Sequence, residues 1–148
     1  MASFFHVNCP EEVSSKYRLI VFDDSKEAFI PLTEFYHDQV NRISESSVIA
    51  YLNVLEPFFY WLKYKSHYKA RKVWWDDESE AGKEAVRQYL IELMRCKIRG
   101  REGHEGVYLT IKSFKTVQLF LSAIKGFYKT MIRLKGFRQH FNVIYTRT

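Results

Sequence analysis

The chain lacks most of the residue patterns that announce chemistry. It has two cysteines, Cys9 and Cys96, and neither has a partner at metal-ligand spacing, so both read as free thiols of a cytoplasmic protein. The five histidines, His6, His37, His67, His104 and His140, are scattered, with no HxH or HxxxH pair. Gly100, Gly103 and Gly106 lack the lysine-serine and strand context of a phosphate-binding loop. No apolar run approaches the roughly 20 residues needed to span a bilayer. The opening MASFFHVNCPEEV has neither a basic leader nor a long apolar stretch, so no secretion signal is expected. There is no internal repeat and no low-complexity tract. No nucleophile–base pair or metal cluster emerges, and neither catalysis nor a cofactor is expected of this chain. His37 beside Asp38 reads as a surface residue. Asp76, Asp77, Glu78 and Glu80 read as helix-start acids, which favour the positive end of a helix dipole, rather than as metal ligands.

What is present suits one folded domain. The 148 residues are 47% hydrophobic, with 12 Phe, 10 Tyr and 3 Trp, which points to a core of large rings. The net charge of +6 is unevenly spread. Residues 1–45 hold four Lys or Arg against eight Asp or Glu, residues 46–80 hold five of each, and residues 81–148 hold fourteen against four. A basic surplus confined to the second half suggests a polyanionic partner, nucleic acid before membrane.

Residues 1–15 read as a loose arm, and Lys16–Phe22 as a short strand ending at Asp23-Asp24-Ser25. A first helix is expected from about Pro31 to Arg42, with Leu32, Phe35, Tyr36 and Val40 apolar. A second follows a cap at Ser46 or Ser47. Its Val48, Tyr51, Leu52, Leu55, Phe58, Phe59 and Leu62 form one stripe at helical spacing, and Pro57 should bend it without breaking it. His67–Trp75 reads as a loop, with Trp74 and Trp75 closing the core rather than stacking on bases. A third helix is expected to run to about Arg99 and to bury Ala85, Val86, Tyr89, Leu90, Leu93 and Met94. Arg99–Gly106 reads as a mobile loop or hairpin tip, and Val107–Ile111 as a short strand, so a small hairpin near 98–111 is an option.

The last helix, about Ser113 to Lys135, carries the most information. At roughly 100° per residue, Val117, Phe120, Leu121, Ile124, Phe127, Tyr128 and Met131 fall in one sector. Lys115, Gln118, Ser122, Lys125, Lys129 and Arg133 fall almost opposite, giving four cations and no acid. A merely solvated helix usually mixes signs, because Glu four residues before Lys adds stability. Such a face suits DNA phosphates, and Lys115, Thr116 and Gln118 stand where a helix entering the major groove commonly meets bases. The charge pattern alone does not choose between that role and a solvated lysine face. Gly136 is expected to stop the helix.

Three segments together carry a resemblance. Ser47-Val48-Ile49-Ala50-Tyr51-Leu52, followed by Leu55, Phe58 and Trp61-Leu62, is similar to a T-x-x-x-Y-x-x-x-L-x-x-F-x-x-W-L helix. Val86-Tyr89-Leu90 is similar to V-x-x-Y-L. Lys115-Thr116-Val117-Gln118-Leu119-Phe120-Leu121-Ser122-Ala123-Ile124-Lys125-Gly126-Phe127-Tyr128 is similar to T-x-x-x-x-L-S-A-x-R-x-F-Y. In this order they resemble the N-terminal core-binding domain of the tyrosine recombinase, or phage integrase, family, over about Thr33 to Phe137.

The resemblance implies an all-α fold, a SAM-like bundle of four or five helices that grips one face of a recombination-site duplex during integration or excision. It implies three regions: an N-terminal arm over 1–30, the helical DNA-binding domain over 31–136, and a linker beginning at 137–148. The implied partners are double-stranded DNA and other recombinase protomers on it, with no membrane. The implied source is bacterial, phage or mobile-element. Contact with DNA carries over to Ser47, Lys115, Thr116 and Lys125; Gln118, Lys129 and Arg133 are added from the helical face. The family's Arg…His-x-x-Arg…Tyr set belongs to a later catalytic domain and is absent here, and Tyr145 is not read as a nucleophile. Ser47 stands where threonine is usual, and the segment Arg99–Gly106 is longer than the usual connection. The alternative is a helical protein–protein module that does not bind nucleic acid.

Overall fold

A computed structural model describes residues 3–9, 18–101, 104–108 and 114–135. In chain order the elements are β1 (Phe5–Asn8), β2 (Leu19–Phe22), α1 (Ile30–Gln39), α2 (Glu45–Lys65), α3 (Ser79–Glu92), β3 (Lys97–Arg101), β4 (His104–Tyr108) and α4 (Phe114–Lys135). The architecture of the described residues is mostly helical, with two small antiparallel hairpin-like pairs, β1 with β2 and β3 with β4. No helix among the described residues is long and apolar enough to cross a membrane.

Residues 3–9 of the expected loose arm are instead anchored, and residues 1–2 and 10–15 of it lie outside the described residues. β1 pairs with β2 in the register Phe5↔Phe22 to Asn8↔Leu19. Leu19 and Val21 alternate inward as a half-buried strand requires, and Phe4 is buried against Phe29 and Phe59. Buried Thr33 fastens β2 to α1: its Oγ1 accepts from Val21 N (3.0 Å) and donates to the Phe29 carbonyl (3.0 Å). Of the expected strand Lys16–Phe22, the observed part is Leu19–Phe22, and Lys16 and Tyr17 lie outside the described residues.

α1 has proline in its first turn as expected, but it ends at Gln39 rather than Arg42, where Arg42 N and Ile43 N turn back onto the Gln39 carbonyl. α2 begins earlier than expected. Its cap is Ser44, whose side chain accepts from Ser47 N, so Ser47 sits inside the first turn. The helix continues through Pro57. Pro57 and Asn53, whose carbonyl the proline leaves without a donor, both lie on the exposed side, where water can satisfy it.

α3 ends at Glu92, several residues before Arg99. Arg95 adopts a left-handed backbone (φ 58°), and Cys96 N reaches back to the Leu90 carbonyl at 2.9 Å, which closes the helix. Hydrophobic periodicity cannot signal such a closure without a glycine. One consequence is that Leu93, expected to be buried, is 45% exposed, whereas Met94 is buried. The chain then turns into β3, which pairs with β4 from Lys97↔Tyr108 to Arg101↔His104. The hairpin option is therefore realised, with its second strand earlier than Val107–Ile111. Residues 109–113, the stop at Gly136 and the tail 137–148 lie outside the described residues.

The core is a continuous set of rings. Phe58 meets Trp61, Tyr89 and Phe120, and Phe59 meets Phe29, Trp74 and Phe127. α4 docks on α2 through Phe58–Phe120 (centroids 5.2 Å) and Phe59–Phe127 (5.1 Å), and on α1 through Phe35–Phe127 (5.9 Å). Edge-to-face geometry dominates these contacts, as the ring quadrupole favours. Trp74 and Trp75 pack on Phe59 and Phe127, in keeping with their reading as core-closing residues.

Candidate nucleic-acid interface

The inward sector of α4 is buried as the spacing requires. Val117, Phe120, Leu121, Ile124, Phe127, Tyr128 and Met131 are all in the core, together with Ala123 and Thr130. Rotation of the helix is fixed on both flanks. The Tyr128 hydroxyl donates to the Trp75 carbonyl (2.6 Å), and burial pushes its phenol far above the ordinary range. On the other flank Gln39 Nε2 donates to Thr130 Oγ1 (3.1 Å).

With that face locked inward, Lys115, Gln118, Ser122, Lys125, Lys129 and Arg133 emerge on the exposed side. Lys115, Lys125 and Lys129 have no carboxylate partner among the described residues. The first turn of α4 carries no acid, so Lys115 adds to the positive end of the helix dipole. Thr116 is half-buried, beside this face rather than on its crest.

Two of the expected site residues are placed differently. Arg133 is spent inside the molecule: its Nη2 donates to Asp38 Oδ2, a carboxylate that also holds Arg42 Nε at 3.3 Å. The acidic first third therefore neutralises the last turn of the cationic face while leaving the other three lysines uncovered. Ser47 is exposed, but its Oγ bonds the Ser44 hydroxyl (2.8 Å), and among the described residues no bond joins it to α4. Its helix meets α4 at Phe58, eleven positions or roughly 16 Å further along the axis. The first turn of α2 leans instead on α1, through Glu45 and the Tyr36 hydroxyl at 2.6 Å. Ser47 and Lys115 are thus not brought together.

The acids at the start of α3 also have structural work. Asp77 takes both guanidinium nitrogens of Arg71, and Glu80 lies in the first turn. No group of His, Cys, Asp and Glu among the described residues is arranged to hold a metal. His37 is half-buried, with Nε2 3.1 Å from the Leu19 carbonyl. Cys9 and Cys96 are both free, and burial pushes the Cys96 thiol up.

Two features are not anticipated by the sequence patterns above. Buried Glu56 on α2 receives His6 Nδ1 of β1 at 2.7 Å, and burial pushes its carboxyl above the usual range while His6 pulls the other way. Nothing local signals this contact across fifty residues. The second is a basic segment at the end of α2. Five cations and no acid lie between Pro57 and Trp75, a signal that composition alone could have found. Comparison of the chain with protein-family models, curated proteins and solved structures finds no match to any of them.

Proposed function

We propose that this chain is a DNA-binding module of the core-binding type, a SAM-like bundle that grips duplex DNA for a site-specific tyrosine recombinase and contributes no catalytic residue of its own. The observation that carries the reading is the uncovered cationic face of α4: Lys115, Lys125 and Lys129 on one exposed sector, none paired with a carboxylate among the described residues. Arg133, Arg71 and Lys63 by contrast are held by acids of the molecule itself, so these three lysines keep their charge available to a partner. Further support comes from the order of the helices and from the ring core, which buries Leu55, Phe58, Trp61, Tyr89, Leu90, Phe127 and Tyr128 of the family pattern, while Tyr51 is half-buried and Ser122 exposed. Lys115, Lys125 and Lys129 act as point charges on phosphates, with Gln118 on the same crest.

The test is equilibrium binding to a duplex over a salt series. Replacing Lys115, Lys125 and Lys129 with Ala should weaken binding and flatten log K against log salt by about 0.9 for each phosphate that the variant no longer neutralises. An unchanged slope in a folded triple variant would overturn the reading. The rival reading, a protein–protein module, draws on Phe5 and Val7, exposed apolar residues on one side of β1. Capture of a protein partner that survives nuclease treatment, with no affinity for duplex, would favour it.

A further inference from the structure

We infer that the turn Tyr68–Arg71, with Lys65, Lys69 and Lys72, is a second phosphate-contacting element that engages duplex DNA alongside the α4 face. This rests on the DNA-binding reading above and extends it to residues that fall between the first and second of the three segments that carry the family resemblance. Tyr68 N and the Arg71 carbonyl, and Arg71 N and the Tyr68 carbonyl, bond reciprocally at 2.8 and 3.2 Å. The two residues between them, Lys69 and Ala70, both have positive φ, 51° and 65°. A two-residue turn of this hand favours Asn-Gly or Gly-Gly, because side chains strain there. Lysine at its tip is held by the surrounding structure in a conformation it does not prefer, a condition that clusters at functional sites.

The base of the turn is correspondingly rigid. Buried Ser66 donates to the Leu62 carbonyl and accepts from Val73 N at 2.9 Å. Buried Gln88 on α3 clamps His67, donating to its carbonyl at 2.8 Å and accepting from its amide at 3.4 Å. Arg71 is committed to Asp77, and Lys63 to Asp24, so these two cations brace the segment. Lys65, Lys69 and Lys72 are left exposed and without a carboxylate partner among the described residues; Lys69 lies over the Tyr68 ring at 5.1 Å. A fixed scaffold that displays three unneutralised cations fits a polyanion of fixed spacing, as a phosphate backbone is.

The segment that follows the turn reaches α4. Trp75 packs on Phe127, and its carbonyl accepts from the Tyr128 hydroxyl. Phe127 and Tyr128 are buried residues of the same stretch of α4 that carries Lys125 and Lys129 on its exposed side.

The test uses the full chain, a mixed-sequence duplex of about thirty base pairs and a salt series. Lys69→Ala with Lys72→Ala is compared with Lys26→Ala with Lys83→Ala, which removes two cations outside both elements, and with the α4 triple variant. The turn variant should flatten the slope by about 0.9 per lysine, and the control pair should leave it unchanged. A turn variant that matches wild type while the α4 triple still flattens the slope overturns the turn's role and leaves the α4 reading standing. A turn variant no flatter than the control pair overturns it equally, reducing its effect to net charge. Absence of duplex binding by the wild-type chain at low salt overturns both. Circular dichroism melts establish that each variant is folded, and a second turn variant, Lys69→Asn with Ala70→Gly, relaxes the backbone and removes one cation, for which half the flattening is expected.

Discussion

Replacing Asp38 with Asn should make the protein less stable and, on the DNA-binding role proposed above, tighten its binding to a duplex. Asp38 is the acid through which the first third of the chain reaches the cationic helix. Its carboxylate takes Arg133 from α4, Arg42 at 3.3 Å and Gln39 Nε2 at 3.1 Å, with its own side chain 13% exposed and that of Arg133 39%. Asparagine keeps the shape and one acceptor but removes the charge that holds both arginines. Partly exposed ion pairs contribute about 0.2–1 kcal/mol each, so the cost of removing the two together is about 1 kcal/mol. For a chain of this length that lowers Tm by roughly 3 °C.

Released from Asp38, Arg133 joins Lys125 and Lys129 on the exposed sector. One further phosphate neutralised steepens the salt slope by about 0.9, which near 0.1 M salt corresponds to roughly eightfold tighter binding. The assay pairs a thermal melt with fluorescence anisotropy of a labelled duplex between about 50 and 200 mM salt, the range over which such slopes are read. Opposite signs in the two measurements are the expected signature, and adding Arg133→Ala should cancel the gain in affinity while keeping the drop in Tm. A melt that drops while the slope stays put would refute the reasoning, because the last turn of α4 would then lie beyond the reach of the duplex.

Gly126 offers a test of the α4 packing that is independent of DNA. A Cβ there would meet the Phe35 ring at an ordinary 3.8 Å, so Gly126→Ala should raise stability by about 0.5–1 kcal/mol in a chemical denaturation series, the usual gain for replacing a mid-helix glycine; a decrease would mean that α1 and α4 approach more closely. Glu56 supplies a pH test. Its folded carboxyl holds its proton above the ordinary value of about 4.3, so the native state binds more protons than the unfolded state, and the group's contribution to stability declines as pH rises from that value through the folded one. Glu56→Gln should remove that decline, and urea midpoints of the two proteins that stay parallel across it would refute the assignment.

The parts of this molecule that were legible in the sequence are those encoded within one helix. The stripe from Val48 to Leu62 and the two opposed sectors of α4 are local periodicities, and both survive folding with the expected faces buried. What escaped was written across distance. β1 is four residues long and becomes a strand only because β2 and the Phe29–Phe59 rings receive it. Arg133 looked like its lysine neighbours because Asp38 stands 95 residues away. The neighbouring serines Ser46 and Ser47 masked the true cap at Ser44, since a cap is chosen by where the chain turns and not by composition. The end of α3 is hidden in the sequence for a related reason: Arg95 closes the helix in a conformation usually left to glycine.

All three tryptophans belong to the ring cluster: Trp61 beside Phe58 and Tyr89, Trp74 beside Phe29 and Phe59, Trp75 beside Phe127. None stands among the exposed lysines of α4. Trp61, buried on α2, is therefore a gauge of core integrity remote from both lysine clusters, whereas half-buried Trp74 and Trp75 follow Lys72 on the same loop. The molecule carries two kinds of indole, one that reports on folding and a pair placed to sense whatever settles on the neighbouring turn.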